Sequence, residues 1–101
     1  MRVIVFFDLP TESVKDRREY SRFRRMLIKN CFMMMQESVY VKLTLNQNTA
    51  QMVVDGIKKN KPPQGLVQVL CITEKQFQRM ELISGSSDSD VLDTDDRLLI
   101  L

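Results

Sequence analysis

Met1-Arg-Val-Ile-Val-Phe-Phe-Asp-Leu-Pro10 is the stretch on which the reading of the fold turns. From Val3 to Leu9 every residue but one is apolar, and Val, Ile and Phe favour strands. So short and unbroken an apolar run predicts a strand buried on both faces. Pro10 cannot donate to a sheet ladder, so the strand ends there. Asp8 then stands at the carboxyl end of a central strand. An ionised carboxylate inside an apolar run is costly unless a metal, a cation or water meets it. The lone aspartate is therefore the first functional clue, with three readings open: a cap of the following turn, a metal ligand, or a catalytic group.

Working outward, the next segment is the strongest helix in the chain, Val14–Lys29. Thr11 or Ser13 can cap it, and Asp16 sits in its first turn, where the dipole favours an acid. Tyr20, Phe23, Met26 and Leu27 share one face, while Arg18, Arg22, Arg25 and Lys29 share a roughly opposite one. Asn30 stops the helix, since Asn tolerates a left-handed C-cap. The segment 31–45 reads as one or two strands, interrupted at Gln36-Glu37-Ser38 by a bend, bulge or hairpin. Asn46-Gln47-Asn48 begins a second helix, with Asn48 and Gln51 at capping-box spacing and a buried stripe of Ala50, Val53, Val54 and Ile57. Lys58, Lys59 and Lys61 crowd its exit before Pro62-Pro63.

Leu66–Ile72 is a further apolar strand. Thr73 and Gln76 again have capping-box spacing, so a helical turn carries Phe77 inward. Met80–Ile83 is a short strand candidate. Residues 84–96 hold four Ser and five Asp and read as an acidic connector. The chain closes on Leu98-Leu99-Ile100-Leu101, a final strand that a sheet edge or a second subunit would have to cover. The order β-α-β-β-α-β predicts an α+β, ferredoxin-like sandwich over residues 1–84, with an additional C-terminal strand within 85–101 for dimer or partner contact. A dinucleotide-binding fold would need a Gly-rich first turn, which Leu9-Pro10-Thr11 is not.

Composition narrows the chemistry. At 101 residues one core is expected. No apolar run approaches a membrane span of about 20 residues. The N-terminus shows no leader pattern, so a cytoplasmic location is expected. Histidine is absent, which removes Ser-His-Asp and Cys-His catalysis and histidine metal sites. Cys31 and Cys71 lack metal-ligand spacing and read as reduced core thiols, and the Met33–Met35 run likewise reads as core. The net charge of +2 hides an imbalance: residues 1–61 carry twelve Lys/Arg against six Asp/Glu, residues 62–101 three against seven. A basic body with an acidic tail suits a polyanion partner.

The basic helix face has two readings, a solvated surface and a phosphate contact. Arginine forks match phosphate oxygens, and such contacts position a duplex without reading sequence. No aromatic residue interleaves with the stripe, so stacking on single strands is less favoured. Lys58, Lys59 and Lys61 either extend the track or complement the dipole at a helix end.

Several motifs together resemble one known family. Phe6-Phe7-Asp8-Leu9-Pro10 is similar to the strand-end aspartate signature of the Cas-two family of CRISPR-associated proteins. Tyr20-Ser21-Arg22-Phe23-Arg24 with Met26-Leu27-Ile28 resembles its basic first helix, and Gln36-Glu37-Ser38-Val39-Tyr40 its Gln-x-Ser-Val strand. Thr73-Glu74-Lys75-Gln76-Phe77 resembles the branch that accompanies Cas-nine, type II systems. The resemblance covers nearly the whole chain. It implies a homodimer of ferredoxin-like subunits that bridges two dimers of the Cas-one integrase, holds duplex DNA and serves spacer acquisition. It also implies, as the alternative, a magnesium-dependent endonuclease on RNA or DNA with Asp8 as metal ligand and catalytic position. On the phosphate reading of the basic helix Arg17, Arg18, Arg22, Arg25 and Lys29 would hold the nucleic-acid backbone, and no membrane is involved. The chain departs from the family where Phe7 replaces a common tyrosine, removing a hydroxyl near the site. It departs again where Asn30-Cys31 replaces a common glycine, which bears on the helix exit.

Overall fold

The structure, a computed structural model, describes residues 1–85. The acidic connector from residue 86 and the strand expected at Leu98–Leu101 lie outside the described residues. The chain runs β1 (Arg2–Asp8), α1 (Val14–Lys29), β2 (Met33–Gln36), β3 (Val39–Leu43), α2 (Gln47–Lys59), β4 (Leu66–Ile72) and α3 (Glu74–Gln78). The described backbone groups into two compact units that divide after Cys71.

The first unit is a four-stranded sheet in the order β2-β3-β1-β4, with β1 in the interior. β1 pairs antiparallel with β3, Ile4 facing Val41 and Phe6 facing Val39, and β2 pairs antiparallel with β3. This is the ferredoxin-like arrangement that the order of elements predicted. Because strand side chains alternate, β1 presents two different faces. Val3, Val5 and Phe7 point to one side and are buried with Tyr40 against Phe23 and Leu27 of α1 and Ala50 and Ile57 of α2. Both helices therefore cover the same face. The Phe7 ring lies edge-on to Phe23, with centroids 5.2 Å apart, and to Tyr20, and stacks on Tyr40 at 5.7 Å.

The far face differs from the doubly buried strand that the apolar run predicted. Ile4 and Val41 are buried there, but Phe6 is 37% exposed, Leu43 60% and Asp8 also exposed. Leu66 and Leu70 of β4 are exposed as well; Val67 and Val69 between them pack on the helix-side core, which turns Leu66 and Leu70 to the far face.

Local chemistry sets the boundaries. Ser13, rather than Thr11, caps α1: its Oγ accepts the Asp16 amide at 2.9 Å and Asp16 Oδ2 accepts the Ser13 amide at 3.2 Å. Asn30 is the C-cap with φ −92°, and the left-handed residue is the next one, Cys31, at φ 69°. Asn30 holds the turn through its side chain, which donates to Met26 O at 2.7 Å. α2 begins at Gln47, within the expected 46–48 start, but its cap is Asn46, whose Oδ1 accepts the Thr49 amide at 2.8 Å, and not the Asn48/Gln51 box. The 36–38 interruption is a hairpin turn with Ser38 at φ 68°, preceded by a register irregularity between Met34 and Gln36.

Three expectations about burial are corrected. Met33 and Met34 are exposed, because β2 is an edge strand and only part of it meets the core. Cys31 and Cys71 are free but exposed, Cys31 at a helix exit and Cys71 on the other edge strand. Met80–Ile83 forms no strand, and Met80, Leu82 and Ile83 are exposed. In the second unit α3 opens with the expected capping box, Thr73 Oγ1 accepting the Gln76 amide and Gln76 Oε1 the Thr73 amide.

Candidate functional site

Asp8 is the last residue of β1, one position beyond the Phe7 amide that donates to Ser38 O at 3.0 Å. Alternation puts its carboxylate on the far face with Phe6, away from the helices. The position is exposed, so water meets the charge and the expected burial cost does not arise. Phe7 points the opposite way into the aromatic cluster. Its lack of a hydroxyl is thus a matter of core packing with Tyr20, Phe23 and Tyr40, not of the chemistry around Asp8.

A residue the sequence reading did not single out fixes this strand end. Gly65 precedes β4 at φ +98°, and a Cβ there would come within 2.7 Å of Leu9 Cδ2, 2.8 Å of Asp8 O and 3.0 Å of Leu9 Cα. The backbone before β4 therefore lies directly on the Asp8–Leu9 peptide, an approach only glycine permits. The signal available in the sequence was a glycine between Pro62-Pro63-Gln64 and an apolar strand.

The donor set for a metal is small. Among the described residues no group of three His, Cys, Asp or Glu side chains is gathered, so Glu12 and Glu37 do not together form a three-ligand cluster with Asp8. Magnesium is held by one or two carboxylates with waters and phosphate oxygens. Asp8 is an exposed carboxylate, and it fits a magnesium ion where a second carboxylate or a bound phosphate completes the set.

The five basic residues proposed for backbone contact divide into two groups. Arg17 Nη1 donates to Thr11 O at 3.1 Å and Glu12 O at 2.9 Å, fastening the β1–α1 loop. Arg22 Nε donates to Glu19 Oε1 at 2.8 Å and Nη2 to Asn60 O at 3.2 Å, tying α1 to the end of α2. Arg18, Arg25 and Lys29 are exposed and have no hydrogen bond or ion pair among the described residues. Glu19 thus neutralises Arg22 alone, and Asp16 is engaged by the Ser13 cap. The proposed strand Leu98, Leu99, Ile100 and Leu101 lies outside the described residues. No described helix is long and apolar enough to cross a membrane.

The family model described as CRISPR associated protein Cas2 matches residues 1–80. The chain is 54% identical over 101 residues to the CRISPR-associated endoribonuclease Cas2 of Treponema denticola, covering all of both proteins. It is 40% identical to the protein of that name from Streptococcus mutans, covering all of this chain and 93% of the relative. A third, from Lacticaseibacillus rhamnosus, is 42% identical over the full length of both. The match spans β1 with Asp8, the basic helix and the sheet, and the chain belongs to the Cas2 family of CRISPR-associated proteins.

Proposed function

We propose that this chain is a dimeric, duplex-binding adaptor of CRISPR spacer acquisition that joins two dimers of the Cas-one integrase in the cytoplasm. The observation that carries this reading is the α1 face on which Arg18, Arg25 and Lys29 stand exposed and unpaired among the described residues. Concentrated like charge with no internal partner suits a polyanion, and guanidinium and ammonium groups grip phosphate regardless of base sequence. The far sheet face supports the dimer. It exposes Phe6, Leu43, Leu66 and Leu70 around the buried Ile4 and Val41, an apolar surface that a second copy would cover. Reconstituted integration with a Cas-one partner tests the adaptor reading. Asp8→Ala is expected to retain integration, and a chain truncated after Ser84 to lose it; loss with Asp8→Ala alone would overturn the reading.

The exposure of Asp8 at the end of the central strand, together with the endoribonuclease name that the relatives carry, favours a second reading as a magnesium-dependent endonuclease on RNA or DNA. Asp8 and its two-fold mate would then supply the two carboxylates. A magnesium ion bound there would offset phosphate charge and make bound water more acidic. In this chain Asp8 would hold the ion and the basic helix the substrate backbone, while Gly65 and the Ser38 turn hold the strand end that carries Asp8. Fast, magnesium-dependent cleavage that Asp8→Ala abolishes would establish this reading; cleavage unaffected by Asp8→Ala would remove it.

A further inference from the structure

We infer that the phosphate track is built from two helices. Lys59 and Lys61, at the exit of α2, contact duplex backbone beside Lys15 and Arg18 of α1, while Arg22 is the clamp that brings the two elements together. This rests on the reading of the chain as a duplex-binding protein and extends it to residues outside the first helix.

Arg22 lies inside the stripe Lys15, Arg18, Arg22, Arg25, Lys29, whose alternating spacings of three and four keep one helix face. It is the member least exposed to water, and its guanidinium is occupied by protein: Nε by Glu19 and Nη2 by the carbonyl of Asn60. That carbonyl belongs to the C-cap of α2, where backbone oxygens lack helical partners and the dipole favours a cation. Asn60 also donates its side-chain amide to Gly56 O at 2.8 Å, which fixes the exit from within α2. Arg22 is therefore a positioning residue. The consequence is that the end of α2 meets the stripe between Arg18 and Arg25.

Lys59 and Lys61 flank Asn60 directly, each with its Cα about 3.8 Å along the chain from that of Asn60. Both are exposed, and neither has a partner among the described residues. The loop is held from a second side: Pro62 and Pro63 line a small cleft of about 70 Å³ with Lys15, Asp16 and Glu19. Three carboxylates on α1 and α2 are engaged elsewhere, Asp16 with Ser13, Glu19 with Arg22, and Asp55 with Gln51 at 3.0 Å. Dipole complementation accounts for Lys58 and Lys59 in the last turn of α2. It does not account for Lys61, beyond the helix, because the effect fades within the last turn. Tyr20 and Phe23 pack with the core, so no aromatic ring on this surface offers a stacking platform, which favours a duplex over a single strand.

The test is the salt dependence of binding to a short random-sequence DNA duplex, followed by fluorescence anisotropy with the full chain. Lys59→Gln/Lys61→Gln is expected to flatten the log–log salt slope by about 1.8 per chain, because each neutralised phosphate contributes about 0.9. Arg24→Gln, on the other flank of α1, serves as the comparator for a general loss of charge and is expected to leave the slope in place. An unchanged slope in the lysine variant, while Arg18→Gln/Arg25→Gln lowers it, overturns the two-helix track and leaves duplex binding standing. A flat salt response in the unaltered chain overturns the duplex reading itself. Equal loss per charge from Arg24→Gln, or equal slope and affinity on a single-stranded RNA of the same length, also overturns the proposal.

Discussion

Replacing Gly65 with alanine tests the link between the fold and the candidate site. The new Cβ would sit 2.7 Å from Leu9 Cδ2, 2.8 Å from Asp8 O and 3.0 Å from Leu9 Cα. The leucine methyl can rotate, but Leu9 is only 8% exposed and has little space to move into. The other two atoms are backbone at the end of the interior strand and cannot yield without moving Asp8. Overpacking of this kind costs about 1–3 kcal/mol, and a non-glycine residue at φ +98° adds roughly 1 kcal/mol of strain. Restricting the unfolded chain returns about 0.4–1 kcal/mol. The net expectation is a loss of about 2 kcal/mol, which lowers Tm by about 8–16 °C for a domain of this size. Thermal and urea unfolding followed by circular dichroism measure it, and the amide resonances of Asp8 and Leu9 should shift most. A change within about 0.5 kcal/mol, or resonance shifts confined to the loop before β4, would refute the claim that this glycine seats the strand end.

Three further outcomes are expected. Cys31→Gly relieves the left-handed φ of 69° and should stabilise by about 0.5–1 kcal/mol, whereas Cys31→Ala stays near neutral; equal effects in denaturant titrations would place the gain in loss of the thiol instead. Ser13→Ala removes one half of the α1 capping box and should cost about 1 kcal/mol by the same titration, with the far-ultraviolet signal retained. Asp8→Asn, at an exposed position with no hydrogen bond or ion pair among the described residues, should leave thermal stability within about 0.5 kcal/mol, and a large change would show that Asp8 is a structural cap.

Much of this was legible because local chemistry and tertiary need agree. The apolar run of β1, the Tyr20/Phe23/Leu27 stripe and the Thr73/Gln76 box all appear where the sequence placed them. The errors share a physical cause. An apolar run does not say whether both faces of a strand are covered, so Phe6, Met33 and Met34 were expected inside and are exposed. Strand position in the sheet decides that, and position is a long-range property. The α2 cap lies two residues ahead of the expected Asn48/Gln51 box for a related reason, since Asn46 and Asn48 are chemically equivalent candidates, whereas Asn30 ends α1 as expected. Charge type alone could not separate Arg22 from Arg18. The two share a stripe, and only the 3.2 Å contact to Asn60, 38 residues away, shows which one serves the protein. Gly65 went unnoticed because its demand comes from β1, at the other end of the unit's sequence.

On the two-fold reading of Asp8, assembly and metal binding are coupled, and the coupling can be tested from the other end of the strand. Leu43 pairs with Arg2, six residues from Asp8 and so about 20 Å along β1, and is 60% exposed on the same face as Phe6 and Asp8. If a second copy covers this face, Leu43→Asp replaces an apolar anchor of each copy with a carboxylate, opposite Arg2 of its own chain, inside the interface. Loss of an interface anchor costs at least about 2 kcal/mol, so the dimer dissociation constant should rise by about 30-fold or more. Sedimentation across a concentration series measures that shift while the fold, judged by circular dichroism, persists. The substitution leaves Asp8 and its surroundings chemically intact. A magnesium site shared between two Asp8 carboxylates must weaken in step with the dimer, because one chain gathers no three-ligand cluster among its described residues. Magnesium affinity that survives in the monomeric variant would mean that a single Asp8 suffices, and the two-fold site would have to be abandoned.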